Sequence, residues 1–471
     1  MNYLNSCKKM NNTNLWILTE ERPKKEVLET IFNRYAKEKG IACFIDNIRI
    51  IPILDKDKFS FTYKVTGFNT PKIDFVYLKI VSGKSSFVDY IIFDTLNEPV
   101  SSDTPVFVIE ETKTDDSESR NTGVYQRATK FVYADYFYPE TIKIMLYNLQ
   151  GEQKEEATAT NIFGTRCFLT LGVEIIGKNL EKEMVPWDNI DELIGYKSSM
   201  RRPPAGNVPI DITKFKDEIK ISGRLVKSGR LGHDPNVGAL SLIAATIRSL
   251  GWKDKITITL HGLEQSMLTG RNKFIRIANR YGIGLENLVI PRSKVLKDYW
   301  YYEDKGEKIG TIFLHLLVEQ FSGGMSIYEN HAGCERGYFI TQNGEKLTVE
   351  KYSDRTLYKA GDKTAIIALS DLTLVDFKKK EVINIEGEMH QNAHKGIAQL
   401  DGFDAFENLY IKKHYPDYSI IRTVVLYGSN DNAVPIGKIS FLLNSKGSIL
   451  LSTTAPELFK ESLNNFRDFW K

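Results

Sequence analysis

Asp89, Glu111 and Lys113 are the residues of this chain whose types and spacing best suit chemistry. They lie in two apolar runs, Phe87-Val88-Asp89-Tyr90-Ile91-Ile92-Phe93-Asp94 and Val106-Phe107-Val108-Ile109-Glu110-Glu111-Thr112-Lys113, with a polar loop between them. Such a pair of runs reads as a hairpin of buried strands. Alternation along a strand puts Glu111 and Lys113 on one face, and Asp89, on the neighbouring strand, is expected to join them. Two carboxylates about 4 Å apart repel by roughly 4 kcal/mol at an effective dielectric of about 20. A divalent cation between them reverses that sign. Oxygen-only ligation with open positions suits Mg2+, which polarises a phosphoryl oxygen and lowers the pKa of a bound water. A lysine beside it orients that water and offsets charge in the transition state. The expected chemistry is therefore metal-assisted phosphoryl transfer, with Asp89 and Glu111 as metal ligands and Asp94 as a rival for the aspartate position.

Glu-x-Lys alone carries no such meaning. It recurs at Glu152–Lys154, Glu218–Lys220 and Glu303–Lys305, each time in a polar, charged run typical of a solvated surface. Only Glu111–Lys113 ends an apolar strand preceded by a second apolar strand that carries an aspartate. Downstream, Val124, Ala128 and Phe131 share one face of a predicted helix. Arg120, Gln126, Arg127 and Lys130 beside them are candidates for contact with a phosphate or the attacking water, or form a solvated helix face.

The C-terminal part repeats this layout. Asp371-Leu372-Thr373-Leu374-Val375-Asp376 matches Asp89 to Asp94, and Val382 to Glu388 matches Val108 to Lys113. Gly396-Ile397-Ala398-Gln399 then matches Gly123-Val124-Tyr125-Gln126, and Tyr415-Pro416 matches Tyr138-Pro139 ahead of the strands Arg422–Tyr427 and Lys143–Tyr147. Five matched features in one order point to two related modules. In this alignment Glu388 stands where the first copy has Lys113. Asp371, Glu386 and Glu388 form a denser acidic site, with Asp371 and Glu386 as metal ligands and Lys395 able to return positive charge. His390 and His394, spaced i and i+4 beside these acids, read as exposed or phosphate-contacting side chains rather than a zinc site.

The Asp89…Glu111-Thr112-Lys113 pattern resembles the PD-(D/E)xK nuclease superfamily, which includes most type II restriction endonucleases. The resemblance covers residues 85–150 well and the rest poorly, and Val88 departs from the usual proline. It implies an α/β fold, a mixed central β-sheet flanked by helices, here in two related modules. It also implies Mg2+-dependent hydrolysis of double-stranded DNA at a specific sequence, leaving 5′-phosphate ends, and a cognate DNA methyltransferase that protects the host. Two unlike sites in one chain would let a monomer cut both strands of an asymmetric target. A repair, recombination or mobile-element nuclease shares the chemistry, and a DNA-binding protein with an inactive nuclease fold shares the architecture. Neither a phosphate-binding GxxxxGK[ST] loop nor a methyltransferase glycine motif is present.

The elements that must position these residues follow from periodicity. A helix is predicted over Lys24–Lys39 with Gly40 as its stop, then strands over Ile48–Leu54, Phe59–Val65 and Asp74–Val81. Further on come helices over Val237–Leu250 and Arg271–Arg280, a strand over Lys255–Leu260, a buried helix over Thr311–Phe321, and strands over Thr364–Asp376 and Glu381–Glu388. Arg201-Arg202-Pro203-Pro204-Ala205-Gly206-Asn207 is linker-like. It suggests a nuclease module over 1–200, a central basic region over 201–305 and a second module over 306–471. The net charge is only +3, so DNA contact must come from local basic surface. Candidates are Lys214, Lys216, Lys220, Arg224, Lys227 and Arg230 for phosphates, and Arg271, Asn272, Lys273 and Arg276 for base edges. The aromatic run Tyr299-Trp300-Tyr301-Tyr302 reads as core or strand. Four cysteines without a CxxC pair suit a reducing cytoplasm, and no apolar run is long enough to predict a signal peptide or membrane span.

Overall fold

The computed structural model describes residues 13–81, 88–100, 102–112, 123–147, 158–200, 210–225, 231, 234–270, 272–293, 306–331 and 337–471. It is mixed α/β, with mixed β-sheets flanked by helices, and divides into two compact units. Unit 1 comprises residues 1–82, 95–98 and 302–471; unit 2 comprises 83–94 and 99–301. No helix among the described residues is long and apolar enough to cross a membrane.

Unit 1 begins with β1 (Thr13–Thr19), α1 (Lys25–Lys39), β2 (Phe44–Asp55), β3 (Lys58–Asn69) and β4 (Ile73–Ile80). The predicted face of α1 is the buried one, formed by Val27, Leu28, Ile31, Phe32 and Tyr35 together with Ala36. Gly40 ends the helix at φ +59, a left-handed conformation that costs glycine little. Phe32 stacks on Phe68 of β3 with ring centroids 4.5 Å apart. β2, β3 and β4 form an antiparallel meander, and β1 adds to β4 in parallel. Lys56 and Asp57 both take positive φ, the two-residue turn whose twist suits a hairpin.

Unit 2 contains β5 (Tyr90–Thr95), β6 (Phe107–Thr112), α2 (Gly123–Phe137), β7 (Ile142–Tyr147), α3 (Ala159–Thr170), β8 (Val173–Ile176), α4 (Ile190–Ser199), β9 (Asp211–Lys214), β10 (Glu218–Arg224), α5 (Pro235–Ser249), β11 (Lys255–His261), α6 (Lys273–Tyr281) and β12 (Ile283–Leu285). β5 and β6 are antiparallel, and β7 and β8 follow in parallel. A second sheet runs β12-β11-β10-β9. α5 is buried on nearly every side, from Pro235 to Ile247, because it packs on α2, α3 and α6 as well as β10. Its approach to α2 depends on Gly238, where a Cβ would stand 2.2 Å from the Tyr125 carbonyl oxygen.

The remainder of unit 1 contains α7 (Lys308–Phe321), β13 (Met325–Glu329), β14 (Tyr338–Ile340), β15 (Lys346–Thr348), α8 (Arg355–Lys359), β16 (Leu372–Asp376), β17 (Glu381–Met389), α9 (Ala393–Gln399), β18 (Ser419–Tyr427), β19 (Ile439–Leu443), β20 (Ile449–Leu451) and α10 (Glu457–Phe469). The sheet runs β13-β16-β17-β18-β19-β20. The pairs β13/β16, β16/β17 and β19/β20 are antiparallel, whereas β17/β18 and β18/β19 are parallel. The strand expected over Thr364–Asp376 is shorter at its start. Asp362 accepts the Thr364 N–H at 2.8 Å and sets a tight helical turn at Lys363–Ala365, leaving Leu372–Asp376 as β16.

These units divide the chain differently from the expected spans 1–200, 201–305 and 306–471. The N-terminal sheet packs with the C-terminal part: Phe59 stacks on Phe313 of α7 at 4.3 Å, its N–H bonds the Gly447 carbonyl, and Trp470 Nε1 donates to Pro52 O. The central segment packs through α5 and α6 on α2, and through α5 on α3, the helices that follow β6 and β7. The prolines at 203 and 204 lie outside the described residues, and the segments flanking them belong to one unit.

Candidate active sites

In unit 2 the hairpin register decides which carboxylates meet. Tyr90 pairs with Ile109 and Ile91 with Val108, so one residue further out Asp89 faces Glu110. Asp89 Oδ2 accepts the backbone N–H of Glu111 at 2.7 Å, which anchors the aspartate at the strand end. Lys130 of α2 reaches both, with Nζ 2.7 and 2.8 Å from the two Glu110 oxygens and 3.8 Å from Asp89 Oδ1. Arg127, one turn earlier, has Nε 3.8 Å from Glu110 Oε1. Glu111 points to the opposite face, where its Oε2 accepts the Tyr90 hydroxyl at 2.7 Å. The structure therefore brings Asp89 together with Glu110, not Glu111. Lys113 and Arg120 lie outside the described residues, as does the Gln126 side chain. Among the described residues, the cations at the Asp89–Glu110 pair come from α2 and α6.

Electrostatics mark the same spot. Burial, then repulsion from Asp89, pushes the Glu110 carboxyl up to about 8, against the pull of Lys130 and Arg127. Lys273, the first residue of α6 and an expected base reader, is instead buried at 7% exposure. Burial and then the Lys130 charge bring its ammonium down to about 8, with Glu110 opposing. Arg276, one turn on and likewise expected to read bases, is 1% exposed, and among the described residues its Nε and Nη2 have no hydrogen-bond partner.

Unit 1 holds the second site with the same hairpin geometry. Leu372 pairs with Ile385, which sets Asp371 across from Glu386, and Asp371 Oδ2 accepts the Gly387 N–H at 2.9 Å. The two sites therefore align Asp371 with Asp89, Glu386 with Glu110, Gly387 with Glu111 and Glu388 with Thr112. This is one residue away from the alignment read off the sequence, in which Glu386 matched Glu111 and Glu388 matched Lys113. A one-residue slip in a strand moves every side chain to the other face, so the observed register puts Glu110, not Glu111, on the face of Asp89. Glu307, just before α7, joins as a fourth carboxylate: burial, then Glu388, raises it, with Lys308 and Lys395 opposing. Burial and mutual repulsion likewise hold Asp371 and Glu386 well above the usual carboxylate range. Gly387 leaves room here, because a Cβ would stand 2.4 Å from Thr311 Cγ2 and 3.1 Å from Asp371 Oδ2. His390 and His394 are exposed.

No family model, curated protein or solved structure matches this chain.

The surface cations predicted to meet DNA are less uniform than the sequence suggests. Lys214 on the edge strand β9 pairs with Asp191 at 2.7 Å, and Lys220 lies 3.9 Å from Glu286. Lys216 and Arg224 are exposed. Lys227, Arg230, Arg271 and the run 299–302 lie outside the described residues. Sequence reading passes over Glu110, Glu307 and a group formed by buried His315 with half-buried Glu329 and His331. For Glu110 the signal is hidden, because Val106 to Thr112 is apolar on both faces and carries no alternation to fix its phase.

Proposed function

We propose that this chain is a Mg2+-dependent DNA endonuclease related to the PD-(D/E)xK nucleases, acting as a type II restriction enzyme with two unlike catalytic modules. The observation that carries this reading is the repeated hairpin geometry. In each sheet an aspartate accepts the backbone N–H of the neighbouring strand while facing a buried glutamate, and a helix then leads to a parallel strand. Buried carboxylates held above their ordinary range by one another and by low dielectric are a set that a hard divalent cation would satisfy. Asp89 and Glu110 would hold it in the first site, and Asp371, Glu386 and Glu388 in the second. Bound there, Mg2+ would supply Lewis acidity toward the scissile phosphate and a water of lowered pKa.

The chain's own residues account for the rest. Lys130 Nζ, shared by Glu110 and Asp89, would orient the attacking water or a phosphoryl oxygen. Lys273, its ammonium brought down to about 8 and still mostly protonated at neutral pH, would be suited to exchange a proton with that water. In the second site Lys395 and Lys308 border the acids and provide the positive charge that Glu388 does not. Two sites of different composition fit hydrolysis of two antiparallel strands within an asymmetric sequence, which a self-complementary dimer would not need.

Incubating the full-length protein with phage DNA and Mg2+ tests this. Discrete fragments with 5′-phosphate ends are expected. A smear or structure-dependent cutting would move the assignment to a repair or recombination nuclease. Retention of DNA without cleavage would leave only a binding protein with an inactive fold.

A further inference from the structure

His315 on α7 and Glu329 and His331 at the end of β13 bring three ligand atoms together inside unit 1. His315 Nδ1 lies 3.2 Å from His331 Nε2 and 3.5 Å from Glu329 Oε2, and His331 Nε2 lies 3.9 Å from Glu329 Oε2. An ion with tetrahedral angles and bonds of about 2.0–2.1 Å places its ligand atoms about 3.3–3.4 Å apart, within the span of those separations. His315 is 2% exposed and the side chain of His331 6%, whereas the Glu329 side chain is 29% exposed, so the group opens to solvent on its carboxylate side.

The hydrogen bonds around the triad orient it as ligands are oriented. Thr311 Oγ1 donates to the Lys308 carbonyl at 3.1 Å, so it accepts from His331 Nδ1, also at 3.1 Å. That fixes the His331 proton on Nδ1 and leaves the Nε2 lone pair facing His315 and Glu329. Glu329 is clamped by Arg22, whose Nε and Nη2 each lie 2.9 Å from one of its oxygens. Arg22 is itself balanced by Glu319 at 3.4 Å. One lone pair of Glu329 Oε2 thus remains for a cation. Without metal, His315 donates Nδ1–H to His331. To bind one it needs only to carry its proton on Nε2 instead, a change of tautomer with no change of fold.

We propose that His315, Glu329 and His331 form a transition-metal site of the zinc class with an open coordination position, held in shape by Thr311 and Arg22. Two imidazoles and one carboxylate favour borderline ions such as Zn2+, whereas the all-oxygen carboxylate clusters favour Mg2+. The site does not depend on the nuclease reading. It does adjoin the second cluster: Thr311, which sets the His331 tautomer, is also the residue against which Gly387 packs beside Asp371.

Cobalt(II) titration of metal-stripped, full-length protein, followed by visible absorption, tests the proposal. One equivalent should bind with the spectrum of a nitrogen- and oxygen-ligated ion, be displaced by Zn2+ and resist excess Mg2+. His331→Gln should abolish it. Thr311→Val removes no ligand and, with a circular dichroism spectrum matching the parent, should weaken Co2+ binding about 10–100-fold. Glu386→Gln should leave it intact. The proposal is overturned if the parent binds no stoichiometric Co2+, if Thr311→Val binds as tightly as the parent, or if Glu386→Gln abolishes binding, which would locate the ion among the carboxylates.

Discussion

Replacing Glu110 with glutamine isolates the electrostatics of the first site. The folded chain holds this carboxyl up to about 8, from an ordinary 4.5, because it is buried and faces Asp89. A raised carboxyl favours folding fully below its unfolded value and loses that contribution as pH rises toward the folded one. Between about pH 4.5 and 8 the folded state keeps a proton that the unfolded chain releases, so stability falls by about 1.4 kcal/mol per pH unit. Across the window this amounts to something on the order of 5 kcal/mol. The amide introduced by Glu110→Gln cannot titrate, so the variant should gain on the parent steadily over that range. Lys273, brought down to about 8 from 10.5, acts in the other direction and only above pH 8, outside the Glu110 window. Urea unfolding of both proteins without divalent ions, at several pH values from 5 to about 8, measures the difference directly. A cation that displaces the Glu110 proton should also bind the parent about tenfold more weakly for each pH unit below 8. A parent–variant stability difference that does not change with pH would refute the placement of Glu110 beside Asp89.

Glu111→Gln keeps an acceptor for the Tyr90 hydroxyl on the face away from Asp89, so cleavage should stay within a few-fold of the parent in a plasmid assay; a loss equal to that of Glu110→Gln would contradict the register. Gly238→Ala would drive a methyl to 2.2 Å from the Tyr125 carbonyl oxygen and should cost about 1–3 kcal/mol of stability by overpacking, read by urea unfolding. Arg422→Ala would strip Glu407, 3% exposed, of the guanidinium whose Nε and Nη2 both lie 2.7 Å from it. A loss of about 3 kcal/mol in the same unfolding measurement is expected from the stranded charge, unless Glu407→Gln is introduced with it.

Much of the fold was legible because its signals are local. Gly40 and the apolar face from Val27 to Tyr35 specified α1 almost to the residue. The runs Lys255–Leu260 and Glu381–Glu388 gave strands within one residue of their observed ends. The repeated order of hairpin, helix and parallel strand was visible as an Asp-to-Asp run, a glycine-led segment and a Tyr-Pro step. Side-chain phase was less accessible. Glu110 and Glu111 are adjacent, equally buried at 3% and chemically identical, and only the pairing of Tyr90 with Ile109 separates them. Long-range assembly was also hidden: nothing near Phe59 announces Phe313 or Gly447 as its neighbours. Lys273 and Arg276 resemble surface cations because burial of a charged side chain depends on partners far away in sequence.

On the proposed reading, each of the two carboxylate sites hydrolyses one strand of DNA. The most direct measurement is strand-resolved cleavage of a supercoiled plasmid with Mg2+ by the parent, Glu110→Gln, Glu386→Gln and the double variant. Linear product from the parent, nicks on opposite strands from the two single variants, and intact plasmid from the double variant are the predicted outcome. Linearisation by both single variants at the parent's rate, or an inert parent on every DNA offered, would contradict it.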